Sequence, residues 1–417
     1  MKKRFIFALC LFCCYVFFST QLWAQKRSLH PAGNQVKLCR TSGTQILDPD
    51  NRPIRLKGAN LGNWLVPEGY MFKTDQVGAP AQINQLLLEL IGPDSTAAFW
   101  DRYLNNYITH DDIRFLGKIG CNHIRLPFHY QLFTGDLYLG KRNAGFEYID
   151  RVINWCREEK LYVLLDMHCA PGGQTGYNID DSSGYPWLFF SRSSQDQMAG
   201  IWTKIAAHYK NEPVVIGYDV VNEPFASYFN DVVKDYNHRL FLIYKRMVSA
   251  IRKLDKKHII FLSGSNWALD FRVFETLPDN NIVYEFHKYH FTIKQEAIQQ
   301  YIDFGNKNHV PVYIGETGEN TDEWVKQFTK LLDENQMNWA YWPYKKMDDS
   351  RGIMNFKQPA DYALISAYAK SDRSSYENMR KNMPDREKVR KALNEFLENA
   401  RFKNNFPNKG YIEGLGF

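Results

Sequence analysis

Cysteine is scarce in this sequence. There are seven among 417 residues, and three of them (Cys10, Cys13 and Cys14) crowd into the N-terminal stretch. The other four, Cys39, Cys121, Cys156 and Cys169, are widely spaced and form no Cys-x-x-Cys pair, which argues against a zinc site. One disulfide would be compatible with export. Cys121 and Cys156, however, fall in strand-like and helix-like stretches, where a buried free thiol is expected. The first strand is not followed by Gly-x-Gly-x-x-Gly, which lowers the case for a dinucleotide fold. His287-Lys288-Tyr289-His290 is not accompanied by His-x-His or His-Glu-x-x-His, and neighbours on a strand face opposite ways, so no metal is expected.

Charge of one sign is also lacking. The net charge is +6, and Lys2, Lys3 and Arg4 supply half of it. That small, spread-out excess argues against a nucleic-acid partner. The basic residues at 386–390 read as a solvated helix face. Long hydrophobic runs are missing but for one, residues 5–18, which follows Lys2-Lys3-Arg4 and precedes Ala24 and Gln25. This is the pattern of a signal peptide over 1–24, which predicts a secreted, periplasmic or cell-surface protein. An uncleaved anchor is the rival, but the run is shorter than the roughly 20 residues a spanning helix needs. No later stretch is apolar enough to form a stable membrane span.

What remains is an ordinary globular composition, 44% hydrophobic and 24% charged, with aromatics high at 15%. Such a chain buries a sizeable core, and the aromatic excess leaves room for an aromatic-lined cleft. Apolar, β-branched runs recur at 54–61, 122–127, 161–168, 214–222, 258–263, 282–289, 310–316 and 339–344. Several are apolar on both faces, as in Tyr162-Val163-Leu164-Leu165, which suits a strand buried in a parallel sheet. Helical stripes lie between them, at Ile149, Val152, Ile153 and Cys156, and at Leu240, Tyr244, Met247, Ile251 and Leu254. Residues 294–304 and 321–335 also read as helices, and a short helix over 112–119 ends at Gly120. Eight strands alternating with helices predict a (β/α)₈ TIM barrel, with an open doubly wound sheet as the rival. Residues 25–417 read as one domain, closed by a helix over 384–402 that begins at Pro384. The connections at 66–110 and 169–199 are longer than usual and follow strand C-termini, the end that carries the active site in barrels.

The chemistry gathers at those strand ends. Glu223 closes the fourth run in Asn222-Glu223-Pro224, and Glu316 closes the seventh. A carboxylate ending an apolar strand is costly to bury without partners. Strands four and seven of a barrel face one another across its mouth, and two opposed carboxylates can divide acid and nucleophile roles, as retaining glycosidases require. Arg125, His168, His287, Tyr289 and Trp342 fall at the same level. A guanidinium near Glu316 would keep it ionised, and a histidine near Glu223 could assist its proton traffic. Taken singly, each residue also has an ordinary structural reading as an ion pair, a hydrogen-bonded core histidine or barrel packing.

Together these residues resemble glycoside hydrolase family 5, the cellulase-like retaining β-glycanases. The segment Ile216-Gly217-Tyr218-Asp219-Val220-Val221-Asn222-Glu223-Pro224-Phe225 matches the signature around that family's acid/base. The resemblance, over about residues 52–345, implies Glu223 as acid/base and Glu316 as nucleophile. It also implies Arg125, His168, Asn222, His287, Tyr289 and Trp342 as the residues around them. Asn60-Leu61-Gly62-Asn63-Trp64-Leu65-Val66-Pro67-Glu68 and Ala170-Pro171-Gly172-Gly173-Gln174-Thr175-Gly176 look most like the exo-β-1,3-glucanase branch, in which the residue matching Glu68 binds the terminal sugar. Asn63, Gly69-Tyr70 and Thr175 depart from that branch. Trp64, Glu68, Trp187, Trp267 and Tyr344 are candidates for contacting the sugar.

The expectation is therefore a retaining glycosidase acting on a β-linked oligo- or polysaccharide, a β-1,3- or β-1,4-glucan, with neither cofactor nor metal. Two alternatives stay open. One is a carbohydrate-binding barrel that has lost turnover. The other is a transglycosylase using the same residues. Nothing in the sequence specifies an oligomeric state.

Overall fold

The computed structural model describes residues 36–134, 144–276 and 278–417, so the expected leader at 1–24 lies outside the described residues. Each of the eight apolar runs overlaps a strand: β1 (Lys57–Asn60), β2 (His123–His129), β3 (Tyr162–Cys169), β4 (Val215–Asp219), β5 (Ile259–Ser263), β6 (Ile282–His287), β7 (Val312–Glu316) and β8 (Asn338–Tyr341). They close into a ring in the order β7-β8-β1-β2-β3-β4-β5-β6, every neighbouring pair parallel. The protein is a (β/α)₈ barrel. β1 is shorter than its apolar run because Pro53 and Ile54 pair with Leu47 and Ile46 in a small antiparallel sheet. That sheet underlies the barrel, and Cys39, Ile46 and Leu56 join Leu164, Ile216, Phe261, Val283 and Tyr313 in one apolar cluster.

Side chains alternate along each strand, as the pleat demands. On β6, Ile282, Tyr284 and Phe286 belong to the large outer core between strands and helices, whereas Val283 belongs to the inner cluster. Glu285 and His287 continue the inner face upward. The register between β6 and β7 shifts between Ile314 and Glu316. The shift suits Gly315, where a Cβ would overlap the Glu285 carboxylate.

The helices sit where their apolar stripes require: α1 (His110–Ile119), α2 (Gly145–Glu159), α3 (Arg192–Tyr209), α4 (Val233–Arg252), α5 (Glu296–Asn308), α6 (Asp322–Glu334) and α7 (Arg386–Asn399). Thr109 caps α1, and Gly120 ends it in a left-handed conformation. Leu254 falls beyond α4 and is exposed, so the apolar stripe ends one turn early. For α7, Asp385 is the cap, its carboxylate accepting from the Glu387 and Lys388 amides. Pro384 therefore precedes the helix rather than starting it. The long connection at 66–110 holds two unforeseen helices, Pro80–Ile91 and Pro93–Asn106. Phe99 and Tyr103 of the second stack on Phe396 of α7, so the C-terminal helix packs on this insertion. All four cysteines from Cys39 onward are free and buried, and Leu38–Phe417 forms one compact unit.

Candidate active site

The polar residues converge at the C-terminal mouth of the ring. Glu316 ends β7 and Glu223 follows β4 on the opposite wall. An oxygen of each carboxylate and a ring nitrogen of His287 all lie within 4.8 Å of one another. The turn carrying Glu223 is sharp, with Glu223 at φ 42° and Phe225 at φ 36°, a region that non-glycine residues seldom occupy. Asn222 holds this turn in place. Its amide donates to the Met167 carbonyl, and its own carbonyl accepts from the buried Gln174 amide group.

Arg125 is the hub beneath the carboxylates. It is fully buried and donates to Glu316 (2.7 Å), Asn60 (3.1 Å), Asn222 (2.9 Å) and, through two nitrogens, Asp219. Tyr289 donates to the other oxygen of Glu316 at 3.0 Å. His168 pairs with Asp166 at 2.7 Å and lies 3.9 Å from Glu316. Burial opposes ionisation of Glu316. The positive charges of His287, Arg125 and His168, with the Tyr289 hydroxyl, outweigh it and hold this carboxyl below its ordinary range. Burial would also neutralise both histidines. Asp166 instead lifts His168 to about 9, while Glu316, Glu223 and Glu285 lift His287 to about 10. His287 meets Glu223 at Nδ1 (2.8 Å) and Glu285 at Nε2 (3.1 Å). The trio of Glu223, His287 and Glu316 has the atom types of a metal site, but both nitrogens of the ring already face carboxylates, and its protons serve there.

One side of the mouth is closed by Trp342 and Glu68. Trp342 stacks on His168 with ring centroids 5.4 Å apart and donates its indole N–H to the Tyr70 hydroxyl. Gly62 makes room for that indole, which a Cβ would strike. Glu68 is buried, and one of its oxygens has no hydrogen-bond partner among the described residues. Burial pushes it up to about 8, with Glu316, Glu319 and Glu223 adding to the rise against the opposing pull of His168. The other side, beyond Glu223, is lined by aromatic rings. Tyr177 meets Tyr228 and Trp267, and Tyr185 meets Trp187 and Phe229. Tyr177, Tyr185, Trp187 and Tyr228 are exposed.

Two expected sugar contacts fall elsewhere. Trp64 is wholly buried in the outer core, its indole N–H donating to the Leu104 carbonyl. Tyr344 is also buried, and its hydroxyl donates to Asp112 in α1. Both lie near a strand end in sequence, but in both the side chain points outward into helix packing. Conversely, the site also draws in Asp166, Asp219, Glu285 and Gln174, which no sequence signal of their own marks as functional. Asp166 and Glu285 sit two residues before His168 and His287, so strand alternation places each on the same face as its histidine.

Residues 75–348 match the family model described as Cellulase (glycosyl hydrolase family 5). A protein named beta-xylosidase from Phanerodontia chrysosporium is 34% identical over 364 residues, covering 78% of this chain and 74% of that protein. A probable glucan 1,3-beta-glucosidase A from Aspergillus fumigatus is 26% identical over 282 residues, covering 64% of this chain and 66% of its own. Among solved structures, the rutinosidase from Aspergillus niger superposes with a TM-score of 0.58 at 18% identity, over 70% of this chain and 90% of that one, which speaks to the fold. The chain belongs to glycosyl hydrolase family 5 and is an O-glycosyl hydrolase.

Proposed function

We propose that this protein is an exported retaining β-glycosidase that cleaves a β-1,3- or β-1,4-linked glucan by double displacement. The observation that carries the reading is the approach of Glu223 and Glu316 to within 4.8 Å. Retaining enzymes hold their carboxyl groups about 5–5.5 Å apart, whereas inverting enzymes need roughly 6.5–9.5 Å to admit a water. In the first step Glu316, ionised by its cationic surroundings, attacks the anomeric carbon. Glu223 gives a proton to the departing oxygen as the C–O bond breaks. In the second, Glu223 takes a proton from water, the hydroxide adds to the anomeric carbon, and Glu316 leaves with the configuration retained. Arg125 and Tyr289 orient Glu316, and Asn222 positions the Glu223 turn. Trp342 forms an apolar floor under the sugar ring, and the free oxygen of Glu68 accepts from its hydroxyls.

Glu223 must face the leaving oxygen, so the leaving side of the substrate runs toward Tyr177, Tyr228, Trp267, Tyr185 and Trp187. Aromatic faces stack on the C–H faces of sugars, and this supports a chain substrate. Relatives named as glucan 1,3-beta-glucosidase and endoglucanase support a glucan, and the basic-apolar leader supports export. The test is a panel of laminarin, lichenan, carboxymethylcellulose, glucomannan and xyloglucan, with Glu316→Ala and Glu223→Ala. Each variant should lose about 10³-fold or more in turnover. Azide should partly restore Glu316→Ala and yield a glycosyl azide of inverted configuration. Near-normal turnover in either variant would remove that residue from the mechanism.

A further inference from the structure

The family reading assigns a proton to Glu223 without saying where that proton waits. His287 is 1% exposed, and each of its ring nitrogens meets a carboxylate. With Glu285 as an acceptor at Nε2, that nitrogen carries hydrogen. One further proton is then shared across the 2.8 Å contact between Nδ1 and Glu223 Oε1. If it sits on nitrogen the ring is an imidazolium facing a carboxylate. If it sits on oxygen, Glu223 is the acid that catalysis needs. These are two tautomers of one protonation state, linked by a single short hydrogen bond.

Resting on the retaining reading above, we propose that Glu285 is a positioning residue that maintains His287 as the proton reservoir of Glu223. In glycosylation the shared proton passes to the glycosidic oxygen as its bond to the anomeric carbon breaks, leaving Glu223 and Nδ1 with none between them. In deglycosylation a proton from the attacking water returns to the pair as Glu316 departs. Glu285 neither gains nor loses a proton. Its charge and its hold on Nε2 keep the ring in one tautomer and in line with Glu223, the logic by which a buried carboxylate orients a catalytic histidine.

The surroundings support this. From β7, Glu316 lies 3.6 Å from Nδ1, too far to replace Glu223 as its partner. From β2, Arg125 Nε approaches Glu285 at 3.3 Å. From β4, Asp219 faces Glu285, and one buried oxygen of each has no donor among the described residues. Burial and the charge of Glu285 raise Asp219 against the pull of Arg125. The phenols of Tyr244, Tyr289 and Tyr313 complete the enclosure and are all raised by burial. The lift of His287 to about 10 agrees with the geometry.

The test compares Glu285→Gln and Glu285→Asp with wild type. The substrates are two aryl glycosides of the sugar that wild type cleaves, one with a dinitrophenyl leaving group that needs no acid and one with a methylumbelliferyl group that does. Glu285→Gln should lose at least about tenfold more kcat/KM on the methylumbelliferyl than on the dinitrophenyl glycoside, within the range of general acid catalysis. The basic limb of its pH profile should move down by about one unit or more, because a negative charge has left the side of an imidazolium. Glu285→Asp should restore part of both. If Glu285→Gln does not fold, Glu285→Asp carries the test, with shifts of the same sign and smaller size. Equal losses on the two substrates, or an unmoved basic limb, would overturn the proposal. If wild type cleaved aryl glycosides with inversion, it would be the retaining reading that failed, and product stereochemistry by NMR separates the two.

Discussion

Replacing Arg125 by lysine keeps the charge and removes the fork. The guanidinium makes five hydrogen bonds: one each to Glu316, Asn60 and Asn222, and two to Asp219. A lysine ammonium has three donors radiating from one point and cannot reach acceptors set around a planar group. At least two of these bonds are therefore lost in a site with no solvent access. Each charge-assisted bond contributes about 1.5–3 kcal/mol. The expected destabilisation is about 3–5 kcal/mol, the range seen when a buried ion pair is broken. Urea unfolding followed by tryptophan fluorescence measures it. Activity should fall further than stability explains. Glu316 and Asn222 both lose their anchor, and a loss of about 10²-fold in kcat/KM corresponds to about 2.7 kcal/mol of transition-state stabilisation. The assay is run well below the unfolding midpoint, on protein shown to be folded. A lysine variant within about 0.5 kcal/mol of wild type and with full activity would refute the reasoning, since it would mean that the bidentate geometry serves nothing.

Trp187→Ala should lower kcat/KM several-fold on long glucan chains, through loss of about 1 kcal/mol of ring stacking. It should leave short aryl glycosides unchanged. Equal effects on both would place Trp187 outside the path of the chain. Asp255 accepts from His258 and Tyr218, and although burial opposes ionisation, the His258 ring and the Lys257 and His258 amides lower it to about 2. A depressed carboxylate stabilises the fold above its unfolded pKa, and that stability is lost as pH falls through the folded value. Asp255→Asn should therefore be less stable than wild type at pH 6, with the gap closing between about pH 4 and pH 2. A gap independent of pH would contradict this assignment.

Much of the architecture was legible in the order of residues because burial on both faces leaves a local trace. Eight apolar runs, several of them apolar on both faces, separated by helical stripes admit few arrangements, and the runs at 161–168 and 310–316 coincide with β3 and β7 within two residues at each end. The helices at 80–91 and 93–106 escaped notice because they lie inside a loop-like insertion. Part of their apolar faces is covered by α7, some 300 residues later. The carboxylates at 223 and 316 stood out because charge at the end of an apolar strand is anomalous without a use.

Sequence alone determined the alternation of elements and the identity of the charged residues at strand ends, since periodicity and composition are local properties. Tertiary structure alone decided which of those residues meet. Trp64 and Tyr344 lie within a few residues of site positions yet turn into helix packing, while Asp219 and Glu285 join Arg125 across the barrel. The direction of a side chain at a strand end depends on register shifts and on what packs outside. So do the proton affinities of Glu316, His168 and His287, which come from charges brought together from five different strands or the loops that follow them.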